Sequence, residues 1–263
     1  MGGDIAAFYN DLAEDYHLIF EDWDRSIERQ ASVLGPVLEA RAGAAPLQVL
    51  DCACGIGTQT IGLARRGHRV TGSDVSDVAI ARARREASLR GLEVDFHVAD
   101  MRDLSALPEA SFDAVVAGDN ALPHLLSDEN LVRALVSLRT TLKPQGIFLA
   151  TMRDYDDLLR TRPALQGPAF YSKDGRRHIV HQVWDWDGNE YTMHLYLTVE
   201  AGSAGSPWIA KHYATRYRAL QRKELAQRLE SSGFCEVEWL MPEATGLYQP
   251  MVVARKDAAA SSC

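Results

Sequence analysis

The chain has 263 residues, which is enough for one substantial domain with an insertion or for two small domains. It contains no apolar run of about 18 residues, so we expect no membrane span, and Met1-Gly2-Gly3-Asp4 lacks the basic and apolar leader of a signal peptide. The net charge of −8 argues against nucleic-acid binding, which usually needs a basic face.

The cysteines show neither a CxxC motif nor a Cys/His zinc spacing. They are Cys52, Cys54, Cys235 and Cys263. This pattern predicts reduced thiols in a cytoplasmic protein, and we expect no metal site.

Residues 5–42 have the apolar spacing of two helices. The first carries apolar side chains at helical spacing from Ile5 to Tyr16, and the second runs from about Asp24 to Ala40. Pro36 should kink or divide the second helix because proline lacks a backbone N–H donor. We interpret residues 1–45 either as a surface helix pair with an aromatic seam or as a helical lid over a ligand.

From Leu47 onward, predicted strands alternate with predicted helices. The strands begin with the apolar run at 47–50 and continue at 68–72, 94–98, 112–117 and 147–151. Strands joined by helices imply a parallel sheet with right-handed crossovers. A helix at 222–232 and a hairpin at 234–240 and 249–254 complete the pattern. We therefore predict a Rossmann-like, doubly wound α/β fold with a mostly parallel seven-stranded sheet and an antiparallel last strand.

Residues 154–208 break this alternation. Two strands are predicted at 178–184 and 191–199, joined through Trp186-Asp187-Gly188-Asn189, and a further strand at 208–220. We predict an antiparallel β insertion at 154–208 that covers the ends of the parallel strands. The core would then comprise 46–153 and 209–256, and residues 257–263 would form a frayed tail.

A glycine turn follows the first predicted strand, and polar residues recur at the ends of the strands. The turn contains Gly55 and Gly57, and the strand-end residues are Asp51, Asp74, Asp100 and Asp119-Asn120. In open α/β sheets a ligand binds in the crevice at such strand ends. A dinucleotide fingerprint needs a third glycine where Thr60 stands, so a nicotinamide cofactor stays a weaker alternative.

The stretch from Val49 to Thr58, VLDCACGIGT, resembles the first motif of class I S-adenosylmethionine-dependent methyltransferases. The resemblance spans about residues 9–153 and continues through the final helix and hairpin. Two further groups are similar to glycine/sarcosine N-methyltransferase-like enzymes and to azapteridine N-methyltransferases of the toxoflavin type. These groups are Tyr16, Trp23 and Arg29 before the first strand, and the stretch from Asn120 to His124 after the fourth.

The resemblance implies S-adenosyl-L-methionine as cofactor, with S-adenosyl-L-homocysteine as its product, and a set of residues that hold it. Asp74 would accept hydrogen bonds from the ribose hydroxyls, and Asp100 one from the adenine amino group. Arg29, or in its place Arg25, would clamp the cofactor carboxylate. The remaining cofactor contacts would come from Tyr16, Trp23, Ala53, Gly55, Gly57, Val75, Met101, Asp119 and Asn120.

Methyl transfer from a sulfonium depends mainly on positioning and desolvation, so we expect neither a catalytic triad nor a metal. His124 is the candidate base or substrate anchor because imidazole titrates near neutrality, and Tyr9 is a second candidate catalytic residue. Arg153 could meet an anionic substrate. Aromatic pocket residues would be Tyr9 and Tyr16 from the lid, Trp184 and Tyr196 from the insertion, and Tyr248 from the final hairpin.

We therefore predict a small-molecule N-methyltransferase that acts as a monomer or homodimer, with no nucleic-acid or membrane partner. O-methylation is an alternative within this class, because the geometry at the sulfonium does not depend on the acceptor atom. Two hypotheses from different classes are an NAD-type oxidoreductase and a non-catalytic protein that kept the cofactor fold.

Overall fold

The computed structural model describes residues 5–43, 45–202 and 205–258. Most of the predicted tail at 257–263, including Cys263, lies outside this range. The eleven strands are β1 (Gln48–Cys52), β2 (Arg69–Asp74), β3 (Asp95–Val98), β4 (Phe112–Ala117), β5 (Leu142–Thr151), β6 (Leu165–Lys173), β7 (Arg176–Asp187), β8 (Glu190–Glu200), β9 (Trp208–Arg218), β10 (Phe234–Leu240) and β11 (Met251–Lys256).

The α-helices lie before, between and after these strands. They are α1 (Ile5–Leu12), α2 (Trp23–Ala42), α3 (Thr58–Arg65), α4 (Asp77–Leu89), α5 (Asp128–Thr141), α6 (Tyr155–Thr161), α7 (Arg222–Ser231) and α8 (Pro242–Thr245). Short 3₁₀ helices cover Tyr16–Ile19 and Leu122–His124. None of the helices in the described ranges is both long enough and apolar enough to cross a membrane.

The seven-stranded sheet confirms the predicted fold. Its strand order is β10-β11-β5-β4-β1-β2-β3. Strands β1 to β5 pair in parallel, and β11 runs antiparallel to both β5 and β10. The central strands are apolar on both faces because helices cover both faces. Leu50 and Val115 pack toward α5 and α7 on one face, and Val49 and Val116 pack toward α2 on the other.

The N-terminal segment differs from the prediction at two points. α1 ends at Leu12, so Tyr16 lies in a separate 3₁₀ helix rather than on the same helix. The expected division of the second helix at Pro36 is wrong, because α2 continues to Ala42. Leu34 and Leu38 are completely buried on either side of the proline, and this packing keeps the helix continuous despite the missing donor.

The predicted antiparallel insertion is a four-stranded sheet with the order β6-β7-β8-β9. The hairpin turn lies where it was predicted, because Asp187 and Glu190 are the pair of residues that flank it. Strand β6 and helix α6 were not predicted. The sheet also extends beyond the expected boundary at residue 208, because β9 pairs with β8 along its whole length to Arg218.

The four-stranded sheet and helix α4 of the core both hold the segment that follows α1. The carboxylate of Asp15 accepts hydrogen bonds from Lys211 Nζ at 2.6 Å and from the Tyr213 hydroxyl at 2.5 Å, both on β9. On the other side Arg82 of α4 donates to the carbonyls of Ala13 and Glu14, at 2.7 Å each. The segment therefore bridges the seven-stranded core and the four-stranded sheet.

We expect Gly62→Ala to destabilise the fold by about 1–3 kcal/mol, because the extra methyl overpacks the contact between α2 and α3. A Cβ at Gly62 would lie 2.8 Å from Ala31 Cβ and 2.9 Å from the Ile27 carbonyl. Gly35→Ala is the matched control: its Cβ meets only the Arg66 side chain, which can move. Denaturant unfolding measures both, and an equal loss of stability would contradict this account.

Candidate functional site

Two adjoining clefts lie at the carboxyl ends of the parallel strands. The first, which we call the strand-end cleft, encloses about 920 Å³, part of which is open to solvent. It brings together most of the predicted cofactor residues. Those that line it are Tyr16, Ala53, Gly55, Asp74, Val75, Asp100, Met101 and Asp119. Tyr9 and His124 line it as well.

The glycine turn adopts a left-handed backbone. The φ angles of Ala53, Gly55 and Gly57 are 62°, 54° and 98°, a region that favours glycine. Gly55 lines the strand-end cleft, whereas Gly57 lies just before α3 and does not. A Cβ at Gly57 would lie 3.3 Å from Ile61 and 3.6 Å from Ala83. Gly57 therefore serves the start and packing of α3.

Asp74 is the acidic residue at the end of β2 and is almost completely buried. Its Oδ2 accepts from the Gly55 N–H at 2.9 Å, and its Oδ1 accepts from the Ser76 N–H at 2.8 Å. Burial raises the pKa of this carboxyl, although these backbone donors act against the shift. The two hydrogen bonds fix the carboxylate between the glycine turn and α4, with its free lone pairs available to a ligand in the cleft.

Asp100 lines the strand-end cleft but already has a charged partner. Arg102 donates to its carboxylate, with Nη2 2.5 Å from Oδ2 and Nε 3.0 Å from both oxygens. Partial burial raises the pKa of Asp100, but the hydrogen bonds from Arg102 outweigh this effect and leave the pKa below its usual value. The predicted contact to an adenine amino group would have to share the carboxylate with Arg102.

Asp51 does not face the crevice, although it lies near the end of β1. It is completely buried, and Thr60 Oγ1 donates to its Oδ2 at 2.5 Å. Burial raises the pKa of this carboxyl to about 7, against the effect of the Thr60 hydrogen bonds. Residues alternate between the two faces of a strand, so a position near the strand end is not sufficient for a side chain to reach the ligand.

Trp23 and Arg29 line neither cleft, in contrast to the roles that the resemblance implied. Each contacts a residue that does: Trp23 contacts Thr58, and Arg29 lies over Tyr248. Trp23 is buried, donates from Nε1 to Thr58 Oγ1 at 2.9 Å, and lies under the guanidinium groups of Arg82 and Arg90. Arg29 donates to the Gly246 carbonyl at 3.3 Å. These contacts join α2 to α3, α4 and the α8 region, so both side chains connect helices.

The second cleft, which we call the inter-sheet cleft, lies between the N-terminal segment and the inner face of the four-stranded sheet. It encloses about 810 Å³ and is partly open. Tyr9, Tyr16 and Asp119 line both clefts, so the two spaces meet at these three residues. We call this boundary the junction of the two clefts.

Asp119 and Asn120 form the turn after β4 in the left-handed region, with φ angles of 50° and 69°. Such backbone in non-glycine residues is strained and needs support from its surroundings. Thr151, at the end of β5, accepts from the Asp119 N–H through Oγ1 and from the Asn120 N–H through its carbonyl, both at 2.9 Å. The Tyr248 hydroxyl donates to the Asp119 carboxylate.

Tyr9 and His124 form a hydrogen-bonded pair at the edge of the junction. The Tyr9 hydroxyl lies 2.8 Å from His124 Nε2, and the His124 ring packs on Tyr217 at a centroid distance of 4.2 Å. Partial burial lowers the pKa of His124 to about 3, so the imidazole is neutral at neutral pH. Its Nδ1 is buried without a hydrogen-bond partner.

Arg153 is a cation in the inter-sheet cleft whose partners are all neutral. Nη1 donates to the Tyr191 hydroxyl at 2.6 Å, and Nη2 donates to Gln182 Oε1 at 3.2 Å. The guanidinium lies over the rings of Trp184 and Tyr217, at 4.8 and 5.1 Å. No carboxylate in the described part of the chain forms an ion pair with it.

The aromatic residues predicted from the insertion and the final hairpin have different positions. Trp184 packs beneath Arg153 and does not itself line a cleft, whereas Tyr248 lines the inter-sheet cleft. The prediction that Tyr196 lines the pocket is wrong, because this side chain is on the outer face, stacked on His181 and His212.

The sequence analysis missed Tyr217, which lines the inter-sheet cleft, and Tyr191, which lies behind the cleft wall. Both are buried beside Arg153. The signal for Tyr191 is in the sequence, because Met193, Leu195 and Leu197 alternate in register with it and mark the buried face of β8. The same alternation would have placed Tyr196 on the opposite face.

Comparison with known proteins shows which proteins are similar to the region around the strand-end cleft. Residues 49–146 match the family model described as "Methyltransferase domain". The chain is 30% identical over 186 residues to a glycine/sarcosine N-methyltransferase of Parasynechococcus marenigrum, covering 66% of this chain and 65% of that protein. It is 35% identical over 136 residues to a ubiquinone biosynthesis O-methyltransferase of Xanthomonas axonopodis, covering 49% and 55%. The chain thus spans less than two thirds of these relatives' lengths.

Solved structures share the fold over most of the chain. Streptomyces venezuelae DesVI superposes with a TM-score of 0.75 at 21% identity, covering 92% of this chain and 96% of that chain. A 1,6-didemethyltoxoflavin-N1-methyltransferase of Burkholderia thailandensis has a TM-score of 0.54 at 21% identity, covering 96% and 88%. The match therefore extends through the insertion, and the resemblances stated from the sequence are confirmed.

We expect Asp74→Asn to weaken the binding of S-adenosylhomocysteine by roughly 10–100-fold, because hydrogen bonds to a charged acceptor contribute about 1.5–3 kcal/mol. Asparagine keeps the size of the side chain and can still accept from one backbone donor. Calorimetric titration measures the affinity, and Asp77→Asn, at the exposed first residue of α4, is the control. Unchanged affinity in Asp74→Asn would remove this residue from the site.

Asp51→Asn should change the pH dependence of stability. The pKa of Asp51 is about 7 in the fold and 3.8 in the unfolded reference, so the folded state binds more protons between these values. Stability therefore falls as pH rises from about 4 to 7, by up to about 4 kcal/mol for this group. The variant should lose this slope, as measured by urea unfolding at several pH values; an unchanged slope would contradict the assignment.

Proposed function

We propose that this chain, which carries a class I S-adenosylmethionine-dependent methyltransferase domain at residues 49–146, methylates a nitrogen atom of a small molecule that bears an anionic group. The observation that carries the proposal is the junction of the two clefts at Tyr9, Tyr16 and Asp119. One cleft has the position and polar groups that suit the methyl donor. The other holds a partly buried cation without a counter-charge, which suits the acceptor.

The strand-end cleft fits S-adenosylmethionine in the chemistry of its polar groups. Asp74 is fixed by two backbone donors and offers acceptor lone pairs that suit a pair of ribose hydroxyls. Asp119 offers a carboxylate near the junction that suits the ammonium group of a methionine portion. The turn at Ala53 and Gly55 lets backbone approach the ligand closely. When bound, S-adenosylmethionine supplies an electrophilic methyl group on a sulfonium.

The inter-sheet cleft fits an anionic acceptor because of Arg153. A buried charge without a partner is costly, and the neutral groups around the guanidinium use only part of its five N–H donors. A carboxylate or a similar planar anion would complete its hydrogen bonding in a bidentate manner. The amide Nδ2 of Asn120 is also buried without a partner and lies in the wall of the same cleft.

Two points favour nitrogen as the acceptor atom. A buried site disfavours the charged form of an amine and so helps to keep its lone pair free for attack. The alignment to the glycine/sarcosine N-methyltransferase covers 66% of the chain, whereas the alignment to the O-methyltransferase covers 49%.

O-methylation is the second candidate, supported by the higher identity to the O-methyltransferase, 35% against 30%. A hydroxyl acceptor would need a base at the junction. His124 is neutral at neutral pH, but its Nε2 is already hydrogen-bonded to Tyr9. The site therefore suits an amine better than a hydroxyl that must lose a proton.

Tyr9 and His124 position the acceptor under this proposal. The Tyr9 hydroxyl is held at the junction by His124, and the imidazole is held by its packing on Tyr217. The lid, the Tyr9–His124 pair and Arg153 would together orient the acceptor and exclude water. Such positioning can lower the activation barrier for the reaction of two substrates by roughly 7–11 kcal/mol.

Calorimetric titration with S-adenosylhomocysteine, with NADH as the competing ligand, tests the donor site first. Turnover is then measured with S-adenosylmethionine labelled in its methyl group and a panel of amino acids, amines, heterocycles and phenols. The product's methyl shift in NMR separates N-methyl from O-methyl. We expect binding of S-adenosylhomocysteine alone, and an N-methyl product from an anionic acceptor; binding of NADH alone, or an O-methyl product, would contradict the proposal.

Arg153→Gln tests the anion site. Loss of a charged hydrogen-bond donor should raise KM for an anionic acceptor roughly 10–100-fold and leave the affinity for S-adenosylhomocysteine unchanged. Arg162→Gln is the matched control, because Arg162 also lies over a tryptophan ring of the insertion, at 5.9 Å from Trp186, but outside both clefts. Equal KM values in the wild type and Arg153→Gln would show that the acceptor's charge is recognised elsewhere.

A further inference from the structure

The inter-sheet cleft is lined by both polar and apolar side chains, and we infer that the acceptor carries a sizeable apolar body besides its anionic group. This inference rests on the proposed function and names the substrate class of the same site. An acceptor as small as glycine would satisfy the polar side chains alone. The shape and chemistry of the rest of the cleft call for an amphipathic molecule.

One apolar wall comes from the N-terminal segment. Phe8 and Leu12 lie one helical turn apart on α1, and Ile19 lies at the end of the following 3₁₀ helix. All three line the inter-sheet cleft. Phe8 and Leu12 are largely covered by the core, and Ile19 is only partly buried and offers more of its surface to a ligand.

The opposite wall comes from the inner face of the four-stranded sheet. Val180 on β7, and Met193 and Leu195 on β8, line the cleft and are buried. Gln182 shares this face, pairs in register with Leu195, and accepts from Arg153. Polar and apolar lining residues are therefore neighbours within one strand pair.

The arrangement has a direct energetic consequence. An acceptor held by Arg153 places whatever it carries beyond its anionic group against one or both walls. Water left between two apolar walls is unfavourable, and an apolar substituent that displaces it gains affinity with the area that it buries. Differences of one methylene in such pockets already change affinity or rate about tenfold or more. The walls thus select for size and apolarity, and Arg153 selects for charge.

The test separates the two ends of the acceptor by using ligands that carry one or both features. The full chain, saturated with S-adenosylhomocysteine, is titrated by calorimetry with acetate, phenylacetate, 4-methylpentanoate and phenylacetamide. We expect phenylacetate and 4-methylpentanoate to bind about tenfold or more tightly than acetate, because each adds an apolar body. Phenylacetamide, which has the body without the charge, should bind more weakly than phenylacetate.

Variants of the walls then locate the apolar contact. Ile19→Ser and Met193→Ala should weaken phenylacetate binding at least about fivefold and leave acetate binding unchanged. Val37→Ser is the matched control, because Val37 is a partly buried apolar residue of α2 that packs toward the other face of the core. Ile19 is itself only partly buried, so Ile19→Ser keeps the test valid if Met193→Ala fails to fold.

The outcomes are distinguishable. Equal affinities for acetate and phenylacetate, or an equal effect of Ile19→Ser on both ligands, would overturn the apolar body and leave the methyltransferase proposal standing. Failure of S-adenosylhomocysteine to bind would overturn the proposed function itself. Binding of S-adenosylhomocysteine with no carboxylate bound would overturn the anion site and this inference with it.

Discussion

The parallel pairing of β1 with β2 and β4, and of β4 with β5, is the constraint on which the rest of the structure depends. It brings the residues that follow these strands to one edge of the sheet. The glycine turn, Asp74 and the Asp119-Asn120 turn all lie at that edge. Thr151 at the end of β5 holds the strained turn after β4 through two hydrogen bonds. The site thus depends on backbone register before any side chain contributes.

The inter-sheet cleft is lined by many polar side chains but by few charged ones. Arg153 is surrounded by hydroxyl, amide and aromatic groups, and burial keeps His124 neutral. Electrostatic interactions are stronger in such an environment than in water. Under the proposed function, Arg153 selects the acceptor by its charge, while the neutral Tyr9–His124 pair holds its geometry over the physiological pH range.

The N-terminal segment connects the two sheets and covers both clefts. Asp15 is held by β9, and the carbonyls of Ala13 and Glu14 are held by Arg82 of the core. Tyr9 and Tyr16 of this segment line both clefts, and their ring centroids lie 6.4 Å apart. The interpretations of the segment as a lid and as a helix pair with an aromatic seam both stay predictions.

The sequence by itself determined the alternation of strands and helices, the antiparallel end of the sheet and most of the strand-end cleft. These features are local: apolar runs, glycine turns and acids at strand ends carry their own signal, and Asp74 and Asp119 lie where that signal predicted. Only the tertiary structure decided which side chains face the ligand. Asp51 turned inward to Thr60, Trp23 and Arg29 were taken up by helix contacts, and Tyr196 lies on the outer face. These positions depend on the packing of segments that are distant in sequence, and no local pattern encodes that packing.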